Sequence, residues 1–76
     1  MSFGYSQNIV AANKQANVRS IGVALGRVCI KNGVSVQEMA SLLNVSRQTV
    51  YNWFVGRRSP HVKYHEYITK LLNRYK

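Results

Sequence analysis

Residues 35–55 read SVQEMASLLNVSRQTVYNWFV. Two serines divide this stretch. Ser35 is followed by Glu38 at the spacing of a capping box, in which hydroxyl and carboxylate each satisfy a free backbone N–H of the first helical turn. Val34 before the cap and Met39 inside the helix are placed to close as a hydrophobic staple. Ser46 repeats the arrangement as an N-cap, with Val45 and Val50 as its staple. Between them, Asn44 suits a tight turn with positive φ, because its short polar side chain tolerates the left-handed region. The stretch therefore predicts two short helices, 34–43 and 47–55. The first buries Met39, Ala40 and Leu43 with Leu42 at its edge, and Glu38 is structural rather than catalytic.

Upstream, 19-RSIGVALGRVCIK-31 places Ile21, Leu25, Val28 and Cys29 on one helical face. Gly22 and Gly26 weaken this helix but leave it narrow enough for close packing, and Asn32-Gly33 is its stop. Downstream, Gly56 ends the second helix of the pair, and Arg57-Arg58-Ser59 form a basic loop. Pro60 is tolerated in the first turn of a final helix over 60–74, with Tyr64, Ile68, Leu71 and Tyr75 on one stripe and Tyr67 and Leu72 widening it. Part of that stripe as a dimer contact, or all of it as core, are the two readings. Residues 1–18 are polar and weakly periodic and are expected to be a flexible arm with a helical turn around 9–13; residues 19–76 are the folded domain. The fold class is all-α, a small bundle of four to five short helices.

A chain of 76 residues builds one small domain. No apolar run approaches the roughly 20 residues of a membrane span. Eleven Lys and Arg face only two acids, Glu38 and Glu66, so the partner is expected to be a polyanion: nucleic acid first, an anionic membrane surface second. Cys29, the one cysteine, excludes an internal disulfide framework, reads as core and suits a reducing cytoplasm. His61 and His65 stand four apart on the expected final helix, a metal-compatible spacing without a third ligand, so they read as surface histidines and neither metal nor cofactor is expected. No nucleophile, base and orienter come together, and an enzyme is not expected.

Two short helices joined by a tight turn, the second capped and basic, describe a helix-turn-helix unit. Met39, Leu43, Val45, Val50 and Trp53 hold the pair together, and Ala40 is the small residue at the crossing. From Val36 to Val55 the chain resembles, position by position, the helix-turn-helix of lambdoid phage repressors and Cro proteins, departing where Asn44 replaces the usual turn Gly. The resemblance extends from about residue 19 to 60 and implies a lambda-repressor-like fold. Trp53-Phe54 followed by Arg57-Arg58 also looks like a homeodomain. A homeodomain helix, however, carries Asn before the arginines and continues past it; this chain has Gly56, then Pro60.

With Val50 and Trp53 inward, a turn of about 100° per residue puts Arg47, Gln48, Tyr51, Asn52 and Val55 outward, toward a major groove. Gln48 and Asn52, four apart, share one face; their amides suit adenine, and Arg47 suits guanine. The resemblance likewise implies base contacts for Arg47, Gln48 and Asn52, and Tyr51 suits a base methyl or a phosphate. Gln37, Ser46, Arg57, Arg58 and Lys63, with His61 beside them, are the expected phosphate contacts; Lys14 and Arg19 lie on the expected arm. The resemblance implies a sequence-specific regulator of transcription, a Cro-like phage or prophage repressor in the bacterial cytoplasm. It would occlude a promoter as a homodimer, at least when DNA-bound, on a pseudo-palindromic operator. An excisionase-like recombination factor and the antitoxin of a toxin–antitoxin pair are the alternatives.

Overall fold

Among the described residues, α-helices start after Ser6, Ser35 and Ser46, whose hydroxyls take over backbone N–H groups left without an intrahelical acceptor. A computed structural model of the chain describes residues 6–17 and 19–75. Helix α1 (Gln7–Gln15) starts at Ser6, whose hydroxyl accepts from Ile9 N–H at 3.2 Å. Helix α2 (Ile21–Asn32) follows Ser20 and ends at Gly33, φ 72°. Helices α3 (Val36–Leu43) and α4 (Arg47–Phe54) start at Ser35 and Ser46, which accept from Glu38 N–H at 3.0 Å and Thr49 N–H at 3.1 Å. Asn44 links them in the left-handed conformation, φ 56° and ψ 48°. A 3-10 turn (Val62–Tyr64) leads into α5 (His65–Arg74). The described residues contain helices and no strand, in agreement with the expected all-α bundle.

The core joins all four later helices. Leu25, Cys29, Val34, Met39, Ala40, Leu43, Val50, Trp53, Phe54, Ile68 and Leu71 form one buried cluster. Both staple pairs belong to this core: Val34 and Met39 are buried, Val50 is fully buried, and Val45 packs against the cluster. Helix α2 is central and meets α1, α4 and α5. Its glycines set the distance to α4. A methyl group on Gly22 would lie 2.8 Å from Trp53 Cβ, and one on Gly26 would lie 2.9 Å from Phe54 Cβ and 2.6 Å from the Asn13 amide.

Three expectations differ from the structure. Within the stretch expected as a flexible arm, residues 7–15 form α1, a helix docked on α2 through the buried Asn13. Residues 1–5 and 18 of that stretch lie outside the described residues. The final helix begins at His65 rather than residue 60: Pro60 is buried, its ring lying 3.0 Å from where a Gly22 Cβ would stand, and the chain turns tightly before helix geometry begins. On α2 the fully buried valine is Val23, while Val28 is only half-buried, because a helix flanked by several neighbours is covered on more than one stripe. Most of the final helix's apolar surface is core: Ile68 and Leu71 are buried, and Tyr64, Leu72 and Tyr75 pack on the cluster, leaving Tyr67 exposed.

Burial pushes the Cys29 thiol up to about 12, with the charge of Glu38 as a second, smaller cause. The folded state thus keeps this thiol neutral where the unfolded chain, with its ordinary value of 9.0, ionises. Its contribution to stability is complete below about pH 9 and is lost as pH rises toward 12. We expect the melting temperature of the parent to fall more steeply above pH 9 than that of Cys29→Ala; parallel curves would contradict this. Gly26→Ala gains up to about 1 kcal/mol of helix propensity but overpacks a site where such strain costs about 1–3 kcal/mol. Thermal melts should register net destabilisation, and an equal or higher melting temperature would mean that Asn13 and Phe54 can move aside.

Candidate nucleic-acid interface

Eight residues make α4 too short to hold itself together in water, so its order comes from what it packs on. Val50 and Phe54 are fully buried and Trp53 is 4% exposed. That anchoring turns the other side of the helix outward. Arg47 and Gln48 are exposed, and Tyr51, Asn52 and Val55 are half-buried at the margin. The four side chains expected to read bases thus lie on one outer face. Gln48 Nε2 donates to Asn52 Oδ1 at 3.1 Å, so the two amides form a linked pair.

The residues expected at phosphates surround this face. Ser46, at the start of α4, accepts from Thr49 N–H, and its hydroxyl lies 2.8 Å from Thr49 Oγ1. Gln37 is exposed in the first turn of α3. After α4, Gly56 takes φ 81° and folds the chain back, so that Arg57 and Arg58 N–H both donate to the Asn52 carbonyl, at 2.9 and 3.3 Å. The Arg57 guanidinium then rests 5.9 Å from the Tyr51 ring centre. Both arginines are exposed, as is Lys63, whose ammonium sits 5.2 Å from the ring of Tyr64; that ring in turn packs on Trp53 at 5.4 Å.

Neither α4 nor the segment 55–64 contains an acid. Glu38 is exposed on α3, and Glu66 on α5 lies 3.5 Å from Lys70 in an exposed ion pair of little energetic weight. Arg47, Arg57, Arg58 and Lys63 therefore give an unopposed positive field along α4 and its following loop.

The histidines differ from their expected placement on one helix. His61 precedes the 3-10 turn and its Nδ1 accepts from Lys63 N–H at 3.1 Å, while His65 Nε2–H donates to the Pro60 carbonyl at 2.9 Å. Each ring holds the bend before α5. Lys14 lies in the last turn of α1 and Arg19 is exposed beyond it, its N–H bound to Asn17 Oδ1 at 2.9 Å.

Two residues important to the site carried no functional reading in the sequence. Asn13 on α1 is 2% exposed, and its Nδ2 donates to Phe54 O at 2.6 Å and Val23 O at 3.1 Å. Arg27 on α2 donates to the carbonyls of Lys14 at 2.8 Å and Asn13 at 3.5 Å, closing the end of α1. Gly22 and Gly26, one turn apart on α2, were the available signal that something approaches closely there; they do not say what.

Two capped helices across a left-handed turn, the second presenting a polar and acid-free face, define a helix-turn-helix domain. The profile of the helix-turn-helix family, Cro/C1 type, matches residues 25–64, more than half of the chain. The chain belongs to this family. Comparison with curated proteins and with solved structures returned no match. As a member it is a DNA-binding regulator of transcription whose partner is double-stranded DNA, and the family is generally non-enzymatic. Among the described residues no helix is long and apolar enough to cross a membrane. Ser46→Ala removes the acceptor for Thr49 N–H and should cost about 1 kcal/mol of folding stability in urea titration. No change in midpoint would mean that water serves this helix end equally well.

Proposed function

We propose that α4 lies in the major groove of duplex DNA with Arg47, Gln48, Tyr51 and Asn52 toward the base edges. Gln37, Ser46, Arg57, Arg58 and Lys63 meet phosphates on either side, and the protein represses transcription by occupying a promoter. The observation that carries this reading is the Gln48–Asn52 amide pair on the outer face of α4. One amide N–H and one amide oxygen are used in the link. Whichever way the pair is oriented, a donor and an acceptor stay free, which matches the N6–H and N7 that adenine presents in the major groove. Arg47, one position before Gln48, has the fork geometry for guanine O6 and N7.

A single eight-residue helix reaches few base pairs, so the operator reading is a pseudo-palindrome bound by two copies, in the manner of a Cro-like phage or prophage repressor. The exposed Tyr67 of α5 and Val62 before it are apolar surface left over for such a contact.

Selection of bound sequences from random duplex DNA tests these statements together. The expected product is an inverted repeat whose half-site centres stand about 10 base pairs apart. Gln48→Ala and Asn52→Ala should each relax preference at particular positions by about 1–3 kcal/mol. Arg57→Ala and Arg58→Ala should weaken binding to all sequences alike, each lowering the salt slope by about 1. Unchanged preference in both amide variants would sink the groove assignment, and an unrepeated site would sink the dimer.

A further inference from the structure

We infer that α1 is a brace for the DNA-reading helix, and that Asn13 is the positioning residue through which it acts. The inference rests on the reading of α4 and its following loop as the DNA contact. Asn13 and all of α1 lie outside residues 25–64, the part matched by the family profile.

Asn13 is the one buried polar side chain among the described residues. A buried amide is costly unless its N–H groups are satisfied, and here two carbonyls, Phe54 O and Val23 O, take them. Phe54 ends α4, where geometry leaves carbonyls without an intrahelical N–H. The amide therefore ties α1 and α2 to the very end of α4. Directly after that carbonyl come Val55, Gly56 and the two arginines whose N–H groups fold back onto Asn52.

Further contacts run along the same line. Ile9, near the start of α1, lines a cleft with Val36, Arg47, Gln48 and Tyr51. Ala16, just after α1, has its Cβ 3.2 Å from where a Gly56 side chain would begin. Helix α1 thus comes near α4 at its first turn, bonds to it at Phe54 and leads to Ala16 beside Gly56. Arg27 fixes α1 lengthwise by holding the Lys14 and Asn13 carbonyls. A purely apolar residue at position 13 could fill the space; only a donor can hold the end of α4 at one angle. That angle directs Arg57 and Arg58, while Ile9 borders the face carrying Arg47, Gln48 and Tyr51.

The test uses the full chain with Asn13→Ala, and with Arg27→Ala as a second variant that unlatches α1 from the surface without opening the core. Binding to the selected duplex is measured where circular dichroism finds each variant folded, together with amide exchange in the absence of DNA. Folded Asn13→Ala should bind at least tenfold more weakly with a shallower salt slope. Its Arg57 and Arg58 amides should exchange at least tenfold faster, while Met39 in α3 exchanges as in the parent. Arg27→Ala should shift the same readouts in the same direction by about threefold, and it decides the matter if Asn13→Ala does not fold. Parent affinity, slope and exchange in a folded variant would overturn the brace, as would a loss of affinity that only tracks the unfolded fraction. If the parent selects no duplex, the groove reading fails, and exchange at Arg57 and Arg58 alone then decides whether α1 holds the loop.

Discussion

The distance between α2 and α4 is the constraint on which the rest of the structure depends. Trp53 and Phe54 can approach α2 because Gly22 and Gly26 present no side chain to them. An eight-residue helix has no stability to spare, and its place is decided by this seat. Once Val50, Trp53 and Phe54 are buried, helical rotation leaves Arg47, Gln48, Tyr51 and Asn52 on the outside without further instruction. Folding and presentation of this outer face are therefore one event in this molecule.

Around that seat the work is divided by distance along the chain. Short-range devices start and stop helices: Ser35, Ser46, Asn44 and Gly33 each act within a turn of themselves. Long-range devices set angles between helices. The Asn13 amide spans to Phe54, forty-one positions away, and Pro60 packs toward Gly22. Charge is distributed with the same economy, since neither acid of the chain falls on α4 or on the loop that follows it.

This division explains what could be read from the sequence. The helix-turn-helix was legible because its signals are local: a serine with its staple on either side of an asparagine turn, and an apolar pattern that leaves a tryptophan inside. The outer face of α4 was legible for the same reason, because rotation per residue is nearly constant. Helix α1 was not. Its polar composition resembles that of a loose arm, and the bond that orders it has a partner no neighbouring residue announces. The start of α5 was misplaced because proline marks a first helical turn by local rule, whereas Pro60 is spent on burial near Gly22 and on a carbonyl for His65. The two histidines were separated by the same bend, which lies between them in the chain.

The seating of Trp53 has a consequence of its own. It is the sole tryptophan, almost wholly shielded, and the ring of Tyr64 leans on it at 52° from the segment that carries Lys63. The indole thus stands at the junction of α4, its basic flank and the final helix. Its ultraviolet emission is a built-in gauge of that junction, sensitive to loosening of any of the three without a label being attached.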